Sequence, residues 1–319
     1  VAQNKRQHWV PQFYLKYWAT AETRGYDKPQ VWATHADVEE GGVFKVNTSK
    51  IAARSFLYSP PRDDGSRDHH VDERLQGLES LMAQLWPKIA DDDYFMGDSF
   101  RKGMSLFLST LLLRNPAADE TNRRAHKMLV DVIDGSPKDS NGNPLLNRLV
   151  LNGKEVEFDP AGWQQFKNAA EEDHQREFVQ NIQRNGRRFA ELLLAKQPWS
   201  ICDAKEPVFA TSDHPVACWN EARKLPSLAR PDTVVYFPIS PTRMLIIGDS
   251  HFTDNTVHPL VPGGEGYFNQ FIYREARRWL FTCCEPTVMF NNMLIHLKGL
   301  TGHIPLEQVI REALRPDES

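Results

Sequence analysis

Between Val71 and Ile89 the apolar residues Leu75, Leu78, Met82, Leu85 and Ile89 recur at steps of three and four, which places them on one face of a helix. Phe100 to Arg114 is apolar almost all round (Met104, Leu106, Phe107, Leu108, Leu111, Leu112, Leu113), which predicts a buried central helix stopped by Pro116. The same period predicts a third helix from Asn122 to Ile133 and a long fourth from Pro160 to Lys196, with Gly186 as a weak point in its interior. On either side of this helical middle the apolar runs shorten. Val31–Ala33 and Val43–Val46, joined by the turn Glu39-Glu40-Gly41-Gly42, read as a hairpin, followed by extended chain from Ile51 to Tyr58. Beyond Pro198, the runs Trp199–Cys202, Val208–Thr211, Val216–Trp219, Val234–Phe237 and Met244–Ile247 are bounded by proline, glycine and acidic turns, as strands are. A last helix near Gly266–Arg278, an apolar segment Trp279–Cys284 and a capping helix at Pro305–Leu314 complete the reading.

This pattern predicts an α+β protein with an N-terminal β-hairpin block, a helical middle, and a C-terminal mostly antiparallel sheet with flanking helices. Residues 1–60 and 198–319 are expected to form a mixed β-rich core, and 61–197 a helical region inserted into it or layered on it.

Composition adds bounds. Forty per cent apolar residues in a chain of 319 suffice for a substantial core, and a net charge of −4 argues against a chain-wide electrostatic grip on nucleic acid. The basic stripe Arg176, Arg184, Arg187, Arg188 and Lys196 is most simply a solvated helix face. No apolar run is long enough to span a bilayer, and Lys5-Arg6-Gln7-His8 lacks the apolar core of a signal peptide. Four cysteines without a Cys-x-x-Cys pair read as small buried apolar residues and point to the cytoplasm, with adjacent Cys283 and Cys284 facing opposite sides of a strand.

Three stretches could carry chemistry. Pro11 forces extended chain before it, so His8 is delivered to a helix entrance where Tyr14, Leu15 and Trp18 share a face. In Thr211-Ser212-Asp213-His214-Pro215-Val216 a strand ends in a turn, and Asp213 either accepts local backbone N–H groups or stands at the sheet mouth as a metal ligand or base. Phe237-Pro238-Ile239-Ser240-Pro241 is a stiff strand-to-turn element, without the Gly-x-Ser-x-Gly of a serine hydrolase. The crowd of Asp68, His69, His70, Asp72 and Glu73 has ligand chemistry but reads more simply as a loop and the acidic first turn of a helix. Asp203-Ala204-Lys205 is a triplet that chance produces often.

Together Gln7-His8-x-Val10-Pro11-x-x-Tyr14-Leu15, Thr211-Ser212-Asp213-x-Pro215-Val216, Phe237-Pro238-Ile239-Ser240-Pro241 and Asn269 resemble the successive motifs of the bacterial and fungal family catalogued as domain of unknown function 4238. Phe56-Leu57-Tyr58, Glu79 and Arg114-Asn115-Pro116 fit its pattern too, so the resemblance covers most of the chain. It implies no particular activity, but marks His8, Arg114, Asp213 and Asn269 as positions to consider together. On chemistry alone His8 would be a general base or ligand, and Asp213 a metal ligand or the orienter of His8. Arg114 would clamp a phosphate, and Gln7, Ser212 and Asn269 would bind substrate. That set is compatible with a divalent cation such as Mg²⁺ or Mn²⁺ and with hydrolysis of a phosphodiester or nucleotide, RNA included. Nucleic acid or a nucleotide would then be the partner, and a toxin or defence effector the wider role. The competing expectation is a non-catalytic binding or interaction module in which a His8–Asp213 contact is a structural staple. An open pocket favours the first and complete burial the second.

Overall fold

Pro11 sets the first turn of the chain. Its backbone, at φ −58° and ψ 138°, ends strand β1 (Arg6–His8) and caps helix α1 (Gln12–Tyr17). The computed structural model describes residues 5–36, 42–91, 96–138, 140, 149–151, 154–156, 159–220, 227–261 and 264–286. After α1 come β2 (Gln30–His35), β3 (Val43–Asn47), a 3₁₀ turn at Thr48–Lys50, and β4 (Ala53–Ser55). The helical middle holds α2 (His70–Asp91), α3 (Asp98–Leu113), α4 (Pro116–Asp134), the short strands β5 (Leu149–Leu151) and β6 (Lys154–Val156), α5 (Pro160–Lys167) and α6 (Glu171–Leu194). The last part runs β7 (Trp199–Asp203), β8 (Thr211–Ser212), β9 (Ala217–Trp219), β10 (Val234–Ser240), β11 (Arg243–Ile247), β12 (Thr256–Pro259), α7 (Gly264–Glu275) and β13 (Trp279–Thr282).

The α+β class is as the sequence predicts. One sheet has the order β12-β7-β11-β10-β9, antiparallel except that β12 runs parallel to β7. The second, β3-β2-β13-β8, is antiparallel and draws two strands from each end of the chain. Its register sets Phe281 opposite both Ala33 and Thr211. Helix α1 lies at the centre of an aromatic cluster. Tyr14 stacks on Phe237 of β10 at 5.4 Å between ring centroids, while Phe13 and Tyr14 both meet the edge of Trp86 on α2. Those rings join α1, α2 and the first sheet into one core. A smaller cluster of Leu57, Tyr58, Leu75, Leu113, Phe178 and Ile182 packs α6 against α2 and α3.

Several element boundaries differ from expectation, each for a local reason. The long fourth helix is two, because the Asp173 carboxylate accepts the Ala170 amide at 2.9 Å and starts α6 afresh, with Glu171, Glu172 and Asp173 in its first turn. Pro116 opens α4 rather than only closing α3, since Asn115 caps it by accepting the Ala117 amide. The strand expected at Val208–Thr211 shrinks to Thr211–Ser212, because the Val208 and Phe209 amides bond to the Pro241 carbonyl. Between Ile51 and Tyr58 only Ala53–Ser55 is strand, with Ala52 and Phe56 at positive φ on either side. Of the four cysteines Cys202 is buried and Cys218 and Cys283 are half-buried, while Cys284 is exposed, because β13 ends at Thr282 before reaching the adjacent pair. Residues 39–41 of the expected turn and the tail helix at 305–314 lie outside the described residues. No helix among the described residues is long and apolar enough to cross a membrane.

Candidate functional site

The motif residues are tied to one another through main-chain groups. The Tyr14 hydroxyl lies 2.7 Å from the Pro238 carbonyl and 2.6 Å from Thr211 Oγ1, so one phenol joins all three motif stretches. A carbonyl can only accept, so Tyr14 donates to Pro238 and receives from Thr211. Gln7 is buried with both ends of its carboxamide used: Oε1 accepts the Tyr58 amide at 2.6 Å and Nε2 donates to Ser59 Oγ at 2.7 Å. Arg114 is also buried. Its Nη2 donates to the His8 carbonyl at 2.6 Å and its Nε to the Trp9 carbonyl at 3.0 Å, while Glu79 pairs with it at 2.7 Å. Burial opposes its charge, but Glu79 and Tyr58 outweigh that and hold the guanidinium above its ordinary pKa.

Asp213 belongs to this frame. Its carboxylate accepts the main-chain amides of Arg277 and Arg278, each at 2.9 Å, and so fixes the chain between α7 and β13. Its own carbonyl accepts from Trp9 Nε1 at 3.0 Å and from Asn115 Nδ2 at 2.7 Å. Burial pushes the carboxyl above the ordinary range, and those amides oppose the push. Asn269, on α7, accepts the Ala210 amide and donates to the Val208 carbonyl, both at 2.9 Å. Ser212 is fully buried and its Oγ accepts the His214 amide at 3.1 Å.

What this frame leaves open is a cavity of about 410 Å³ between the opening motif and one face of α2. Arg6, His8 and Gln12 line it from one side, and Asp72, Gln76 and Glu79 from the other. On α2 these side chains, with Leu75, Ser80 and Ala83, follow the three-and-four spacing of a single helix face. Gln12 Nε2 rests 3.3 and 3.4 Å from the two ring nitrogens of His8. Burial lowers the His8 pKa to about 4, aided by Arg6 and Arg114 and resisted by hydrogen bonding to the backbone of Ser49 and Thr48. The imidazole is therefore neutral at pH 7. Asp72 accepts from Gln76 Nε2 at 2.7 Å, and burial pushes its carboxyl up, against hydrogen bonds from Gln7 and Gln76.

The structure thus separates the residues that the sequence grouped. His8 and Gln7 line the cavity, but Gln7, like Arg114, Ser212, Asp213 and Asn269, spends its polar atoms on the chain itself. No hydrogen bond joins the side chains of His8 and Asp213, so Asp213 does not orient the imidazole, because both carboxylate oxygens face amides of the α7–β13 connection. Arg114 is not a free phosphate clamp, since Glu79 and two carbonyls occupy it. Among the described residues no three His, Cys, Asp or Glu side chains are grouped closely enough to hold a metal ion, which leaves Asp213 without co-ligands. In the Asp68–Glu73 crowd, Asp68 accepts the His70 amide and His69 Nδ1 meets Ser59 Oγ, so those groups serve the start of α2. On α6, Arg176, Arg184 and Arg187 pair with Asp173, Glu177 and Glu191, as a solvated face does. Asp72 was read from the sequence only as part of the acidic start of a helix, and Gln12 and Gln76 were missed. The signal for Asp72 and Gln76 was the polar stripe at 72, 76 and 79 running beside the apolar one on α2.

The chain belongs to the family described as protein of unknown function (DUF4238), whose model matches residues 6–285. No curated protein and no solved structure matches it.

Proposed function

We propose that the protein is a binding module for a small polar ligand, taken up in the cavity between His8 and the Asp72–Glu79 face of α2. The observation that carries this reading is the division of labour among the motif residues. Buried polar groups of the later motifs are satisfied by main chain, as in a staple, while the opening motif presents His8 and Gln12 to open space. A lining of carboxylates, carboxamides and a neutral imidazole offers acceptors at Asp72 and Glu79 and both donors and acceptors at Gln12 and Gln76. It suits a molecule rich in hydroxyl or amino groups, the sugar and base of a nucleoside included.

A second reading, hydrolysis of a nucleotide or phosphodiester, draws on His8 itself. An unprotonated imidazole in a cavity at neutral pH is in the form that a general base needs. In this reading His8 carries the catalytic weight without Asp213, with Asp72 and Glu79 as the nearby carboxylates. A cytoplasmic nucleotide pool would be the natural source of ligand for either reading.

Thermal-shift screening of nucleosides, nucleotides, sugars and amino compounds tests the first reading, followed by titration of each hit against His8→Ala and Gln12→Ala. A hit whose shift is lost in both variants supports it; hits that ignore both variants overturn it. Incubation with RNA, single-stranded DNA and nucleotides, with and without Mg²⁺ or Mn²⁺, separates the second. Cleavage by the wild type that His8→Ala abolishes, in a protein that stays folded, makes the module an enzyme.

A further inference from the structure

Strand β13 ends at Thr282, and the next two residues are Cys283 and Cys284. Neighbouring side chains in a strand diverge to opposite faces, but this pair lies in a bend. Thr282 Oγ1 donates to the Cys284 carbonyl at 2.7 Å and closes that bend. The two thiols are next to one another on the chain within this bend, with Cys284 exposed and Cys283 half-buried. The Cys283 sulfhydryl stabilises its neighbour's thiolate, which brings Cys284 down to about 6, while Cys283 is held far above the ordinary thiol range. The other two cysteines are opposite in character. Burial pushes Cys202 up to about 11 and Cys218 up to about 12, so both stay protonated.

We propose that Cys283 and Cys284 form a redox-reactive dithiol that exchanges with small disulfides of the glutathione class. The Cys284 thiolate attacks one sulfur of the disulfide; a mixed disulfide forms on Cys284, the small molecule's own S–S bond breaks, and one of its thiolates leaves. Cys283 then loses its proton to solvent and attacks the Cys284 sulfur. The protein S–S bond forms and the second small thiolate leaves. The two cysteines together give up two electrons and two protons, and the small disulfide is reduced to two thiols. Adjacent Cα atoms are closer than those of most disulfides, so the ring is strained and belongs to the readily reduced, regulatory class.

The test uses the full reduced chain, incubated with oxidised glutathione and read by intact mass and peptide mapping. Wild type is expected to lose two hydrogens within the peptide that carries Cys283 and Cys284. Cys283→Ser should stop at one glutathionyl group on Cys284, and Cys284→Ser should do neither. Iodoacetamide at pH 7 should alkylate Cys284 at least about tenfold faster than Cys218 in the folded wild type. A Cys284 that stays reduced, or that reacts no faster than Cys218, overturns the proposal. So does a wild type that holds its glutathionyl adduct without closing the ring.

Discussion

Arg114 grips the main chain of His8 and not its ring, with Nη2 donating to the His8 carbonyl at 2.6 Å. The guanidinium therefore fixes where the imidazole starts from, and Glu79, which lines the cavity, supplies its counter-charge from α2. Losing Arg114 leaves two carbonyls without a donor and a carboxylate without its cation. Arg114→Ala is expected to cost about 3–5 kcal/mol in chemical denaturation, as breaking a buried pair does. Arg114→Lys should recover only part of that loss, because an ammonium cannot reproduce the planar fork that serves Glu79 and both carbonyls. Full stability in either variant would show that the N-terminal segment is held by other means.

Asp213 is expected to behave as a staple. In Asp213→Asn one acceptor oxygen becomes an NH₂ group facing a backbone N–H, so one of the Arg277 and Arg278 amides loses its partner. The cost is about 1–3 kcal/mol. Any ligand found for the His8 cavity should still bind the folded variant with little change in affinity, as calorimetric titration would measure. A variant of wild-type stability that has lost the ligand would return Asp213 to the site.

These roles divide along what a sequence can carry. Tyr14, Leu15 and Trp18 were legible as an anchor because Pro11 and helical spacing act over a few residues, and all three are buried. His8 was legible as a delivered imidazole for the same reason. Asp213 was legible as an acceptor of local backbone N–H groups or as a staple to His8, but not with its actual partners, which are amides at 277 and 278 that the pairing of β13 with β8 brings near. A main-chain partner has no residue type to recognise. The cavity was hidden for a different reason. Asp72 and Glu79 sit on a helix whose apolar stripe dominates its pattern, and only the docking of α1 against α2 makes their face a wall. The split of the fourth helix turned on one side chain, Asp173, whose capping role is outweighed in sequence by the apolar spacing around it.

The His8 pKa carries a pH signature. The unfolded imidazole titrates at 6.5 and the folded one at about 4, so between those values the unfolded chain binds a proton that the folded chain does not. Stability therefore rises with pH through that window and is complete above it. His214, also lowered to about 4 by burial and by Arg277, adds in the same direction. In His8→Gln the slope of unfolding free energy against pH from 4 to 6.5 should fall by up to about 1 kcal/mol per pH unit, with no change above pH 7. An unchanged slope would mean that the His8 ring is freely solvated in the folded state.

Glu275 runs the other way. It ends α7 beside His214, whose Nδ1 lies 3.6 Å from its carboxylate, with Arg274 and Arg277 as the nearby cations and Cys218 within its field. Burial exceeds the help of both arginines and raises the carboxyl from 4.5 to about 7. The folded chain thus keeps a proton between those values that the unfolded chain releases, and stability falls as pH rises from 4.5 to 7. Glutamine imitates the protonated form at every pH. Glu275→Gln should match wild type below pH 4.5, pull ahead through the window, and reach a lead of roughly 2 kcal/mol above pH 7. Urea denaturation at pH 4, 6 and 8 reads that divergence directly. A variant less stable than wild type at pH 8 would mean that His214 meets Glu275 as an ion pair, with the imidazole protonated and the carboxylate charged.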